Sequence, residues 1–256
     1  MRTLLSLILL FQILFTFGQG NARATKTNRT IEKQTLFGIQ ISPIIPTNFL
    51  EKSNYQYESD TVNYSIQNHT SVSYGVEIRH YFTYRFALNT GILYTKRNID
   101  VDFSSQHSVS NKKLNDTTFT RQLQFTAFEI PIKASGYVRL SKQIYMSIAG
   151  GIHLNFYPSD IRVDNVYMQR AEHFGLNAFQ FFQLGISGSL GWEYRTQNSG
   201  IFFIGASYQT HINNMAYVLL FEEETIHNAD YFEPVKGSYF SIDIKYFFPF
   251  NEKNRK

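Results

Sequence analysis

The sequence predicts an all-β chain: a transmembrane, antiparallel up-and-down β-barrel of eight strands, with short turns at one end and long loops at the other. Three observations carry this reading. Eight stretches of ten residues or more alternate apolar and polar side chains with a period of two, as strands with unlike faces do. The connections between them alternate between fewer than six residues and more than twenty. Past residue 24 no apolar run is long enough for a membrane-crossing helix, so an embedded chain has to cross with strands.

The first stretch, 36–45, sets Phe37, Ile39 and Ile41 against Gly38, Gln40 and Ser42. The second, 70–80, sets Val72, Tyr74, Val76 and Ile78 against Ser73, Gly75, Glu77 and Arg79. In the third, 85–97, Phe86, Leu88, Ile92 and Tyr94 oppose Asn89, Gly91, Thr95 and Arg97. The fourth, 123–137, is irregular at its start, then places Phe128, Ile130, Ile132 and Ala134 opposite Glu129, Lys133 and Ser135. The fifth, 143–156, has Ile144, Met146, Ile148, Ile152 and Leu154 on one face and His153 among the polar residues on the other. The sixth, 179–195, has the cleanest pattern: Phe182, Leu184, Ile186, Leu190, Trp192 and Tyr194 against Gln183, Ser187, Ser189, Glu193 and Arg195. In the seventh, 200–212, Phe202, Ile204, Ala206 and Tyr208 oppose Ser207, Gln209 and His211. The eighth, 238–250, alternates Phe240, Ile242, Ile244, Tyr246 and Phe248 with Ser241, Asp243 and Lys245.

Residues 81–84, 138–142 and 196–199 read as tight turns, and 46–69, 98–122, 157–178 and 213–237 as long loops. In an outer membrane, short turns are periplasmic and long loops extracellular, and an even strand count returns both termini to the periplasm. A soluble barrel or sandwich would need the apolar face turned inward and a polar face rich in Lys, Thr and Glu turned to water. The polar faces here are rich in Gly, Ser and Ala, which suits the narrow interior of an eight-stranded barrel. Trp192 and Tyr194, with Tyr246 and Phe248, end their strands at one level, as an interfacial aromatic girdle would.

The N-terminus reads as a signal peptide over 1–24: Arg2, an apolar run from Leu4 to Phe17, then small residues. Ala22-Arg23-Ala24 and Gly18-Gln19-Gly20 both offer cleavage sites. A periplasmic segment, 25–35, then precedes the barrel, 36–250, and a periplasmic tail, 251–256, ends the chain. With no cysteine, lipid anchoring through a thiol, disulfides and thiol chemistry are excluded. Aromatic residues are abundant, 24 Phe and 17 Tyr, and charged ones sparse at 17%, as expected of a chain that shows aromatic side chains to lipid. The net charge of +4 is scattered and interrupted by Glu222-Glu223-Glu224, so no basic stripe for nucleic acid exists.

Two resemblances follow from particular residues. The terminal strand, ending on Tyr246 and Phe248, resembles the C-terminal signal strand of bacterial outer-membrane barrels, which implies recognition by the barrel-assembly machinery. Phe128-Glu129-Ile130-Pro131-Ile132 within "FTAFEIPIKASGYV" resembles the Bacteroidetes-type outer-membrane β-barrel family described as PorT-like. That family implies an outer-membrane barrel after export, carries no common enzymatic activity, and includes members linked to protein secretion.

Four acids and four bases lie on the polar faces of the even strands: Glu77 and Arg79, Glu129 and Lys133, Glu193 and Arg195, Asp243 and Lys245. Charges of balanced sign in a tight lumen read as a salt-bridged plug in which each acid neutralises its strand neighbour, with an ion-selective channel as the alternative. His153 and His211, with Asp160 or Asp230, offer a metal site or a hydrolytic dyad of a lipid A-modifying barrel, but the spacing of a metal site and a nucleophile motif are both lacking. The expectation is a non-enzymatic barrel without cofactor or metal, whose long loops do its work in surface interaction, adhesion or envelope structure. Its expected partners are outer-membrane lipids, lipopolysaccharide and proteins met by the loops.

Overall fold

The computed structural model describes residues 34–49, 54–59, 62–105, 108–109, 112–113, 117–164, 166–170, 182–196, 198–212, 214–220 and 231–249. Eight strands form a closed antiparallel sheet: β1 (Thr35–Pro46), β2 (Val62–Tyr81), β3 (Phe86–Ser105), β4 (Thr117–Arg139), β5 (Ile144–Phe156), β6 (Phe182–Arg195), β7 (Ile201–His211) and β8 (Tyr239–Phe247). Each pairs with its neighbours in the chain. β1 closes the ring, pairing with β2 (Ile39 opposite Val76) and with β8 (Ile41 opposite Ile244).

Residues 82–85, 140–143 and 196–200 make the short turns, within two residues of their expected places. The last is held by Thr196 N donating to Gly200 O at 3.0 Å. Gly200 sits at φ +82°, where a Cβ would also lie 2.2 Å from the Phe247 carbonyl oxygen, so only glycine fits. β8 ends at Phe247, but Phe248 N still donates to Phe37 O at 2.9 Å. The expected signal peptide, most of segment 25–35, the tail 251–256, Glu222-Glu223-Glu224, Asp230 and Phe250 lie outside the described residues.

In the half of the barrel nearest the turns, apolar side chains face outward. Val76, Ile92, Ile148, Ile204 and Ile244 are exposed, while Glu77, Asn89, Ser147, Gly205 and Asp243 point inward and are buried. The stretches read as long loops are where the sequence expectation fails. β2, β3 and β4 run 20, 20 and 23 residues and continue past the apolar band, with their chemistry inverted. On β3 the inward positions change from Asn89, Gly91 and Thr95 to Ile99, Val101 and Phe103, and the outward ones from Leu88 and Ile92 to Asn98, Asp100 and Asp102. β4 does the same, with Phe119, Leu123 and Phe125 inward and Thr118, Thr120, Gln122 and Gln124 outward.

β2 turns its apolar residues inward by a bulge. Its pairing with β3 shifts between His69 and Val72, so even residues face outward at Tyr74 and Val76 but inward at Val62, Tyr64 and Ile66. A short strand, Tyr55–Glu58, extends this sheet beside β2. The third and fourth long connections contribute a four-stranded sheet in the order 231–235, 216–220, 166–170, 161–163. The two sheets share one core, in which Ile99, Phe103, Phe125, Met168, Val218 and Leu220 are buried together. The long-loop end is therefore a folded unit with its own core. A separate aromatic cluster of Leu36, Tyr81, Tyr137, Ile201 and Phe247 closes the turn end.

Candidate functional site

Alternation along each strand aims every second side chain at the barrel axis, and closure brings residues far apart in sequence within reach. All eight charged residues singled out from the sequence point into the lumen and are buried. Their partners lie across the barrel. Near the turns, Glu193 is shared by two guanidinium groups: Arg79 Nη1 donates to its Oε1, and Arg195 Nε donates to its Oε2 at 2.9 Å. Arg79 is 1% exposed, also donates to Asn89 Oδ1 at 3.0 Å and to Tyr81 OH at 3.1 Å, and lies 3.9 Å over the Phe247 ring. Arg195 lies 4.0 Å over the Tyr145 ring. Flat guanidinium groups stacked on rings fill space that a lysine would leave open.

One level on, Lys245 Nζ donates to Glu77 Oε2 at 2.6 Å. Asp243 Oδ1 accepts from Ser42 Oγ and Ser241 Oγ, each at 2.8 Å. Glu129 does not pair with Lys133. It accepts from Tyr239 OH at 3.0 Å and Gln209 Nε2 at 3.3 Å, and its nearest cation is Arg97 Nη2 at 3.7 Å. Arg97 in turn donates to Gly237 O at 2.8 Å and stacks 4.6 Å over Tyr239. Lys133 has no hydrogen bond or ion pair among the described residues, although it is 7% exposed. The expected strand-neighbour pairing thus holds closely for Glu193 and Arg195 and loosely for Glu77 and Arg79, at 3.9 Å, but not for the other two pairs. The reason is geometric: residues two apart on a strand sit about 6.6 Å apart, while side chains crossing a narrow lumen can meet head-on.

His153 and His211 both point inward, each 1% exposed, with ring centroids 5.3 Å apart. Burial inside the wall keeps them from bilayer lipid. Asp160 accepts from Tyr167 OH at 2.9 Å in the outer unit. Among the described residues no group of three or more His, Asp or Glu could hold a metal ion. Each of the four inward charges on β6 and β8 is 9% exposed or less, so the lumen at these levels is filled by side chains.

Trp192 and Tyr194 stand on the outer wall near the turns, exposed, and Tyr194 OH donates to Gln143 Oε1 at 3.0 Å. Tyr246 packs 4.9 Å from Phe202 and 5.3 Å from Phe248 by ring centroids. A second aromatic level, which sequence reading missed, lies where the wall changes character. Tyr94 packs between Tyr74 and Phe128 at 5.3 and 5.6 Å, and Phe240 between Tyr208 and Phe49 at 4.9 and 6.2 Å. Phe86 and Tyr94 on β3 lie about 26 Å apart along the strand at roughly 3.3 Å per residue. Tilted by about 40°, that gives an apolar band of roughly 20 Å, close to the ~25 Å such barrels show lipid.

A family model of the outer membrane protein beta-barrel domain matches residues 17–217. Among solved structures, the outer membrane protein OprG from Pseudomonas aeruginosa is similar with a TM-score of 0.50 at 11% identity, covering 86% of this chain and 98% of that one. Ail, the attachment invasion locus protein of Yersinia pestis, matches with a TM-score of 0.35 at 12% identity, covering 85% of this chain and 100% of that one. A search of curated proteins finds no match. At 11% identity the likeness to OprG is one of fold. The family match covers most of the barrel, and the aromatic-bounded apolar wall is the surface such a domain requires, so the chain belongs to the outer membrane protein β-barrel domain family, of the bacterial outer membrane.

Proposed function

We propose that this protein is a non-enzymatic outer-membrane barrel with a side-chain-filled lumen, whose role in surface interaction, adhesion or envelope structure is carried by its folded extracellular unit. One observation carries the reading: the charges that would line a pore are buried, all but Lys133 against partners within the lumen, while the part beyond the membrane has its own core and polar residues on its outer face. A groove of about 210 Å³ on that unit, lined by aromatic side chains such as Tyr57 and Phe119 as well as by Gln56, Glu58, Asp102 and Thr120, offers one place for contact. Export by a cleaved signal peptide, passage through the barrel-assembly machinery and contact with lipopolysaccharide belong to the same proposal. Kinship with PorT-like barrels rests on Phe128-Glu129-Ile130-Pro131-Ile132. There Glu129 and Pro131 face the lumen while the three apolar residues face lipid, so the motif serves the wall.

The test has two arms. Purified protein in planar bilayers should show no stable conductance. Glu193→Gln should destabilise the barrel by about 3–5 kcal/mol, because Arg79 and Arg195 keep buried charges without their shared partner. Steady wild-type conductance, with a variant that melts unchanged and shifts ion selectivity, would make the lumen a channel.

A further inference from the structure

We propose that the upper lumen binds one small monovalent anion of halide size, held among Lys133, His153, Ser187 and His211. Charge balance is the first ground. Toward the turns, Glu77, Glu193 and Asp243 face Arg79, Arg195 and Lys245, three acids against three bases, and Glu129 faces Arg97. Lys133 is left over. It lies within electrostatic range of Asp243, Glu77, Glu129 and Lys245, yet no carboxylate among the described residues comes within ion-pair distance of its ammonium. An unpaired charge buried in a wall facing hydrocarbon is costly, and one bound negative charge cancels it.

The second ground is a group of buried donors without protein partners. Both ring nitrogens of His153 and of His211, the hydroxyl of Ser187 and the amide of Asn155 have none. A neutral imidazole offers one N–H, and serine and asparagine one and two more. These residues are neighbours by register. Across β4, β5, β6 and β7 one row reads Lys133, Gly151, Ser187, Gln209, and the next reads Pro131, His153, Gly185, His211. Glycine stands where the row needs room: a Cβ on Gly185 would lie 1.9 Å from His153 Nε2, and one on Gly151 would lie 2.7 Å from the Lys133 Cα.

Sign and size follow from the surroundings. Arg97 and Lys133 both act on His153, so a cation would be repelled. Of the acids that act on Lys133, Asp243 already accepts from Ser42 and Ser241, Glu77 from Lys245, and Glu129 from Tyr239 and Gln209. The two imidazole rings meet edge to face, in contact with each other, with centroids 5.3 Å apart. An anion therefore has to sit beside them, toward Lys133 and Ser187, where a single atom displaces fewer side chains than an organic acid.

The inference stands independently of what the extracellular unit contacts. The full-length protein, folded in sodium bromide and crystallised from detergent, should show an anomalous bromine peak within hydrogen-bond reach of Lys133 Nζ. Refolded in sodium chloride, it should melt several degrees higher than in sodium gluconate at equal ionic strength. Lys133→Gln should abolish that difference while still folding. Scattering at the site no stronger than water, or equal wild-type melting in the two salts, would overturn the proposal, leaving water or a neutral lysine amine in its place. The wild-type measurements decide even if the variant does not fold.

Discussion

β2, β3 and β4 each pass through two solvents, and the contrast between their halves shows what a strand's two faces respond to. Within the bilayer band, Ile92 and Tyr94 face outward to lipid and Asn89 and Thr95 face a polar lumen. A few residues further, on an unbroken β3 backbone, Asn98, Asp100 and Asp102 face water while Ile99, Val101 and Phe103 enter a core. The backbone hydrogen bonds are of one kind throughout. Only the outer medium has changed: in lipid the apolar side must face out, whereas in water hydrophobic burial, about 25 cal/mol per Å², turns it in. The interior follows suit. In the bilayer it is held by charge-assisted hydrogen bonds at 2.6–2.9 Å, such as Lys245 to Glu77 and Arg195 to Glu193, and above it by stacked rings such as Phe125 and Tyr157 at 4.7 Å.

The largest expected effect comes from upsetting the device that joins the halves on β2. Between the His69–Asn98 and Val72–Lys96 pairs β2 has one residue more than β3, and that extra residue lets Tyr64 and Ile66 face inward opposite Phe103 and Val101. Inserting one residue after Thr70 would, with the bulge kept, slip the upper part of β2 and turn Val62, Tyr64 and Ile66 outward to water, since a one-residue slip exchanges the faces of a strand. Burying each such side chain stabilises by about 1.5–3 kcal/mol, so the extracellular core should be lost. The membrane part keeps its register from Val72 to Tyr81. Limited proteolysis of the insertion variant should therefore cut 54–70 and 96–126 rapidly and leave a heat-modifiable barrel. Deleting Thr70 should instead make the pairing regular and leave the core intact. An insertion variant as protease-resistant as wild type would show that the bulge does not set the faces.

The inversion of faces also explains what the sequence could and could not disclose. Within the band, apolar residues keep one phase from Phe86 to Tyr94 and from Phe128 to Ile132, and the strands are legible there. At the band's edge the phase moves from even residues to odd, Ile99, Val101 and Phe103, which reads as the end of a strand and the start of a loop. The inward direction of the charges was legible for the same reason. Their pairing was not, because Arg79 meets Glu193 across 114 positions and Lys245 meets Glu77 across 168, distances that only barrel closure and register resolve. Arg97 was legible as an inner-face residue, but nothing local tied it to Glu129. Phe247 went unseen as a core residue because it is an aromatic on the face that elsewhere carries Asp243 and Lys245.

A middle-sized effect probes the outer medium directly. Ile148 on β5 is exposed midway between Ile144 and Ile152, and Gln122 is exposed on the upper part of β4 opposite Asp100. The two outward positions differ only in what they face. Ile148→Lys should cost about 2–4 kcal/mol, the expense of a cation near the bilayer midplane. Gln122→Lys should stay within about 0.5 kcal/mol, as surface substitutions do. Urea unfolding in lipid vesicles measures both. Equal effects would mean that the boundary between lipid and water is not where the second aromatic level lies.

The smallest effect on stability is expected at the chain's end, where two adjacent phenylalanines do different work. Phe247 is fully buried beneath Arg79 and belongs to the cluster that closes the turn end, so it is a core residue of the barrel. Phe248 faces outward beside Tyr246, makes its backbone bond to Phe37 O through its own N–H, and keeps that bond whatever its side chain. Phe248→Ala removes a ring from the lipid interface and leaves no cavity, so the assembled barrel should lose less than about 1 kcal/mol. What it should lose is yield, because an outward aromatic at the end of the last strand is accessible to the machinery that inserts the barrel, whereas the inward Phe247 ring becomes enclosed as the barrel closes. The measurement is the fraction of heat-modifiable protein in outer-membrane fractions, set against the unfolding midpoint of purified barrel. A lower fraction with an unchanged midpoint is the expected pair. A normal fraction with a lowered midpoint would assign the side chain to the fold and leave the assembly signal to Tyr246.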